Sequence, residues 1–266
     1  MIFLTSLSGE VLLLGVVLVV LVMSVGVAVL LGRRPEGRRD RAATTAAAYM
    51  TALGSLFAIV TGFLINSEYA TLRSAQQVVA TEAAGISQLA YASAALPPPD
   101  AEIVQGELAD YVDSVATVEW YLLSENQPQA SPAFAQLAVL QEALVRVSTR
   151  EYPSAEAVAS MSDALRTMTQ MRRERIAIAA QGLPIALFAL SVIAGIALIV
   201  NAVVVAARFG SRYVVIAAGI ILMVALGLAA ILAISAPFRG PFTASPEPLR
   251  ELAVELRNAD YLPWVR

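Results

Sequence analysis

Four stretches of this chain run for more than 20 residues without a charged side chain: 11–32, 42–67, 181–207 and 213–236. Even the shortest would reach about 33 Å as a helix, enough for a hydrocarbon layer of roughly 30 Å. Between the second and the third, apolar positions recur every three or four residues, the period of amphipathic helices. The pattern predicts an all-α membrane protein with four transmembrane helices and an extramembrane helical bundle inserted between helices two and three. On this basis 1–67 is a transmembrane hairpin and 68–180 the inserted domain. A second hairpin occupies 181–236, and 237–266 is a C-terminal segment with a short helix.

The first stretch has no basic residue before it and is too long for the apolar core of a signal peptide, so it is expected to stay in the mature protein. The second differs from the other three. Thr44, Ala48, Thr51, Ser55, Ala58, Gly62 and Asn66 recur at spacings of three and four, which gathers small and polar groups on one face. Met50, Leu53, Leu56, Phe57, Val60 and Leu64 take the other side. Two readings fit such a stripe: close packing against another membrane helix, or the lining of a pore. In the third stretch Pro184 sits where a helix start tolerates proline, and Asn201 calls for a hydrogen-bond partner within the bundle. Pro237 closes the fourth stretch.

In the inserted domain, Leu72, Ala75, Val79, Ala83, Ile86 and Ala90 continue the second span, which predicts one long helix over 42–95. Pro97, Pro98 and Pro99 end it, and Asp100 follows as an expected N-cap. Val104, Leu108, Tyr111, Val115, Val118 and Leu122 alternate four and three apart, the seam of a bundle. Ser131 and Pro132 open a further helix with Phe134, Leu137, Leu140, Leu144 and Val147 on its apolar side. Beyond Pro153, Val158, Met161, Leu165 and Met168 mark a last helix leading to the third span. In the C-terminal segment Ser245 and Pro246 precede a helix with Leu249, Leu252 and Leu256 on one face and Glu247, Glu251 and Glu255 on another. Calcium sites collect oxygens from turns and several segments, so this carboxylate row reads as a solvated face and no metal site is expected.

Composition narrows the chemistry. Of the 266 residues 58% are hydrophobic and 15% charged, where a soluble domain carries about 25% charge. There is no Cys, no His and no Lys; all 18 basic residues are Arg. Thiol and imidazole nucleophiles, His-based zinc sites and Lys Schiff bases are therefore excluded, and no cofactor is implied. No pair of acidic residues lies within a span, and no phosphate-binding glycine loop appears. A membrane enzyme is thus the last of the readings. Residues 68–180 hold 14 acidic and 7 basic residues, a net charge of −7, the opposite of a nucleic-acid footprint.

Arginines cluster in the short connections 33–41 and 208–212, which fall on one side of the membrane. Short Arg-rich loops stay cytoplasmic, so the inserted domain and both termini are expected outside, in a multi-pass inner-membrane protein. Arg172, Arg173 and Arg175 before the third span form a counter-signal on the other side. Arg239, between Pro237-Phe238 and Gly240-Pro241-Phe242, reads either as an interfacial anchor or as an anion-attracting charge at a pore mouth.

Several local sequences together resemble the bacterial bestrophin-like family: Gly62-Phe63-Leu64, Glu68-Tyr69 with Glu82 beyond, Pro97 to Pro99, Glu119-Trp120, Gly182-Leu183-Pro184, and Pro237-Phe238-Arg239-Gly240 with Ser245-Pro246-Glu247. The family is itself similar to bestrophins, pentameric anion channels whose second membrane helix lines a narrow neck. The resemblance implies an oligomeric anion channel with Thr51, Ser55 and Gly62 as narrow rungs, Asn66 at the mouth and Arg239 attracting anions. It implies self-association, a pentamer by analogy, in a lipid bilayer with small anions as cargo. The chain departs from bestrophins in lacking a run of aromatic residues and isoleucine in the second span, and their acidic calcium clasp has no counterpart here. Bestrophins also keep their inserted domain and termini in the cytosol. The competing reading is a non-conducting membrane scaffold or sensor that signals through the inserted helical bundle.

Overall fold

The computed structural model describes residue 26 and residues 36–125, 127–209 and 211–262. The first expected span, 11–32, lies outside the described residues apart from Gly26, as do the side chains of the Arg-rich loops. Every regular element among the described residues is helical. They are α1 (Glu36–Ser93), α2 (Pro98–Ser114), a π-helical turn (Val115–Glu119), α3 (Trp120–Ser124), a 3-10 turn (Pro128–Ala130), α4 (Ala133–Ser148), α5 (Ala155–Ala180), α6 (Ile185–Phe209), α7 (Ser211–Ile234) and α8 (Glu247–Arg257). Among the described residues three stretches are long and apolar enough to cross a membrane, within Thr44–Ser93, Ala155–Ala207 and Tyr213–Ile234.

Two compact units emerge. One takes the described residues up to Ala70 with Gly182–Ala236 and Gly240–Phe242; the other takes Thr71–Gln181, Pro237–Arg239 and the described residues from Thr243 onward.

In the first unit, Phe57, Leu64, Ala194, Leu198, Ile199, Val203, Val224, Leu228 and Ile231 form a common core from α1, α6 and α7. Two glycines admit Phe57. A Cβ added to Gly195 would stand 2.8 Å from the Val224 Cγ1 and 3.2 Å from the Phe57 ring; one added to Gly227 would meet Thr61 at 3.2 Å and Phe57 at 3.3 Å. Small residues let membrane helices approach closely, and here they make room for an aromatic ring. Just beyond it the buried hydroxyls of Thr61 and Ser191 bond to each other at 2.7 Å, so neither is left unpaired among apolar groups. Asn201 finds its partner on its own helix, donating to the Ala197 carbonyl at 3.2 Å, rather than on a neighbouring one.

In the second unit α1, α2, α4, α5 and α8 share one apolar core, with Ile86, Leu89, Leu108, Tyr111, Val115, Leu123, Leu140, Met168 and Leu249 fully enclosed. Glycine serves again at Gly85, where a Cβ would lie 3.2 Å from the Met168 backbone. The three prolines break the helix where the sequence places the break, but the N-cap is Pro97 and Asp100 falls in the first turn of α2. Proline is pre-set for that first turn, which moves the helix start ahead of the aspartate; Asp100 instead pairs with Arg150 at 3.1 Å. Ser154 caps α5 by accepting from the Ala157 N–H. Gln181 to Pro184 are not helical, so α6 starts later than residue 181; the residue before a proline is disfavoured in helical conformation.

The C-terminal segment is an integral layer of this unit. Leu249, Leu252 and Leu256 of α8 are buried, while Glu247, Glu251 and Glu255 are exposed. Beyond α8, the Tyr261 hydroxyl bonds to Glu255 at 2.6 Å and to Ser87 on α1 at 3.1 Å, and its ring meets Tyr91 edge-on. Burial and the Glu255 carboxylate push the Tyr261 phenol up to about 12.

Candidate functional site

Two groups of polar residues stand out. The first is the stripe on α1. Thr51, Ser55, Gly62 and Asn66 are all exposed, as are Ala48 and Ala58 on the same face. Met50, Leu53, Phe57, Val60 and Leu64 turn the other way, into the core shared with α6 and α7. Leu56, expected among them, is 43% exposed and belongs to the open side. No described residue bonds to the Thr51 or Ser55 hydroxyl or to the Asn66 amide, and a Cβ at Gly62 would meet nothing within 4 Å. The small residues that pack are others: Thr61, Gly195 and Gly227. Arg239 is half-buried and makes no ion pair with a described residue. Gly240, at φ +88°, turns the chain behind it, and the Ala244 N–H closes that turn onto the Pro237 carbonyl at 2.7 Å.

The second group lies inside the helical domain. Glu82, Glu119 and Arg175 have no exposed surface, and Arg172 is 3% exposed. Arg175 donates from Nε to Glu82 at 2.7 Å, and from Nη2 to Glu82 at 3.1 Å and to Glu119 at 2.8 Å. Arg172 grips both oxygens of Glu119, its Nε at 3.1 Å. Two carboxylates thus face two guanidiniums, and the cluster is neutral. Such pairs are tolerated in an interior only when charges are matched and the lone pairs are filled. Aromatic rings line the rest of the shell: Phe134 lies 4.1 Å from the Arg172 guanidinium carbon, and Trp120 lies 5.6 Å from that of Arg175, whose buried Nη1 has no hydrogen-bond partner among the described residues. The Tyr111 hydroxyl is directed at Glu82, 3.4 Å away. Burial and the Glu82 charge push the Tyr111 phenol well above its usual range. Burial alone would raise Glu119 as well, but the Arg172 hydrogen bonds and the charges of both arginines win and hold its carboxyl below the usual range.

The π turn is what delivers Glu119. The Trp120 N–H reaches back five residues to the Val115 carbonyl, so one extra residue is accommodated and everything after it is turned back by about 100°. Glu119 and Leu123 therefore enter the core with no exposed surface, while Val118 is 42% exposed and Leu122 half-buried. The seam expected through Val118 and Leu122 ends at Val115. The other three members of the cluster carried a legible signal: Glu82 follows Ala75 and Val79 on the α1 stripe, and Arg172 and Arg175 follow Met161 and Met168 on the α5 stripe. A charge in phase with an apolar stripe is a buried charge in waiting. Among the described residues no three His, Cys, Asp or Glu side chains converge as metal ligands.

A sequence profile described as the bestrophin-like domain matches residues 17–249. Among curated proteins no sequence matches significantly. Two solved structures of a bacterial bestrophin homologue from Klebsiella pneumoniae, each of a point mutant, superpose with TM-scores of 0.69 and 0.71 at 12% identity. They cover 92% and 97% of this chain and 99% and 98% of theirs. A third structure, of a mutant described only as a membrane protein, gives 0.69 at 12% identity over 94% of this chain and 98% of that one.

Proposed function

This chain belongs to the bestrophin-like family, and from that premise we propose that it is an oligomeric membrane channel for small anions, with the 42–67 part of α1 lining the pore. The observation that carries this reading is the division of α1 into two faces: Phe57 and Leu64 packed, Thr51, Ser55, Gly62 and Asn66 open. Polar groups in a span are costly against lipid tails and turn toward water or another helix. A ring of copies with these faces toward its axis gives them both. Hydroxyls and an amide can donate to a partly dehydrated anion, and Gly62 lets it approach the backbone. Arg239, free of any carboxylate among the described residues, suits the role of drawing anions to the mouth. It works against the net −7 of residues 68–180, which repels them. Five copies is the number that the resemblance to bestrophins suggests.

In this reading 1–67 and 181–236 make up the membrane part of the protein, with four spans, and 68–180 with 237–266 the water-exposed part. The Arg-rich loops 33–41 and 208–212 face the cytoplasm, and the helical domain and both termini lie outside the inner membrane. The pairing of Arg172 and Arg175 with buried carboxylates supports this, because it gives those two arginines a structural reason to be where they are.

The test uses the absence of native cysteine. Thr51→Cys, Ser55→Cys and Asn66→Cys, reconstituted in lipid, should each react with a negatively charged thiol reagent and lose current as they do so. Phe57→Cys and Leu64→Cys should not react. Equal reactivity on both faces, or reaction without any effect on current, would remove the pore lining from this stripe.

A further inference from the structure

We propose that residues 98–124 form a two-register helix, in which the Glu119 ion pairs hold the π turn against a competing regular α-helix. The sequence is compatible with both registers. In regular α geometry Val104, Leu108, Tyr111, Val115, Val118 and Leu122 form one continuous apolar stripe at four-three-four-three-four spacing. In the structure the stripe leaves that series after Val115 and continues through Glu119 and Leu123. Both endings offer a leucine to the core, and the α register would also bury Val118, which is 42% exposed in the π register, so apolar burial alone favours the regular helix. What favours the π register is charge: it places Glu119 where Arg172 and Arg175 both reach it, and a regular helix would swing its carboxylate away by about 100°.

A π turn replaces good i→i−4 bonds with longer ones and is rare for that reason. Within the turn the Thr117 hydroxyl donates to the Asp113 carbonyl at 2.6 Å. With Glu119 deprived of its charge, nothing in the core offsets the cost of the turn, and expelling the extra residue turns the following segment forward by about 100°. Leu122 then replaces Leu123 in the core. Trp120, now near Arg175 and edge-on to Phe238 at 5.4 Å, turns away from both. The helix thus has two discrete arrangements, and anything that separates the arginines of α5 from Glu119 selects the second.

Leu122→Cys and Leu123→Cys, each as the sole cysteine of the full chain, report the register by their rates of labelling with a water-soluble maleimide. In the parent, Leu122→Cys should label at least tenfold faster than Leu123→Cys. Adding Glu119→Gln should invert that order while helix content by circular dichroism is kept. An unchanged order in a folded Glu119→Gln protein overturns the proposal. Removal of Thr117 provides a second arm that does not depend on the stability of that variant. It takes out the extra residue, so Glu119 and Leu123 should stay in the core of a regular helix and the parental labelling order should persist. If removal of Thr117 unfolds the domain or inverts the order, the turn is not a one-residue register device and the proposal is wrong. Neither arm requires the protein to conduct.

Discussion

Arg175 and Glu82 are 93 residues apart in sequence and 2.7 Å apart in the folded chain, each with no exposed surface. Their pairing ties the helix that enters α6 to the helix that carries the polar stripe, within one buried and neutral cluster. Burial makes the bond strong and its loss costly. A buried charge deprived of its partner is far worse than a pair that was never made.

Glu82→Gln or Arg175→Met should therefore destabilise the helical domain by about 3–5 kcal/mol, seen as a lower denaturation midpoint in detergent. The exposed pair Arg257–Asp113, at 2.6 Å with half of each side chain open, sets the contrast. Arg257→Gln should cost less than about 1 kcal/mol. Comparable losses at the two sites would mean that the cluster is wetter than its burial implies.

Acid should unfold this domain through Glu119. Its carboxyl lies below the usual range when folded, so the folded protein releases the proton more readily than the unfolded chain. The stabilisation is fully present above the unfolded value of about 4.3 and is lost as pH falls through the folded one. Stability measured from pH 7 downward should stay level to about pH 5 and then decline. Glu119→Gln should flatten part of that decline, and an unaltered slope in the variant would assign it to other carboxylates.

Two glycines of the first unit should respond in opposite ways. Gly195→Ala puts a Cβ 2.8 Å from Val224 and should cost about 1–3 kcal/mol, as overpacking does. Gly62→Ala meets nothing within 4 Å and should leave stability alone while reducing single-channel current. Thermal stability and conductance measured on both variants separate packing from pore. If Gly62→Ala proved the more destabilising of the two, the open face of α1 would be a packing face.

Much of this architecture could be read from the chain. The three uncharged stretches that fall within the described residues anticipated apolar helices, the triple proline anticipated the end of α1, and Ser245-Pro246 anticipated α8. Charge-free length and proline chemistry act locally, so they are visible in a single sequence. The Glu82, Glu119, Arg172 and Arg175 cluster was harder because it joins segments far apart, and because arginines near a span also read as topology signals. Glu119 in particular flanks the seam beside Val118, and the π turn decides which of the two enters the core. A one-residue insertion within a helix leaves no proline, glycine or change of composition behind.

Replacing Arg239 tests the electrostatic half of the channel reading. Arg239→Gln should lower anion conductance most at low salt and little at high salt, because a charge at a pore mouth acts by raising local ion concentration and is screened within roughly 8–10 Å at physiological ionic strength. An effect independent of salt would point to an anchoring role.

The most direct measurement is current through the purified protein in a planar bilayer under a chloride gradient. The account predicts discrete openings whose reversal potential moves toward the chloride equilibrium potential, from a protein that runs as a symmetric oligomer in lipid. A silent monomer, or currents that reverse at the cation equilibrium potential, would contradict it.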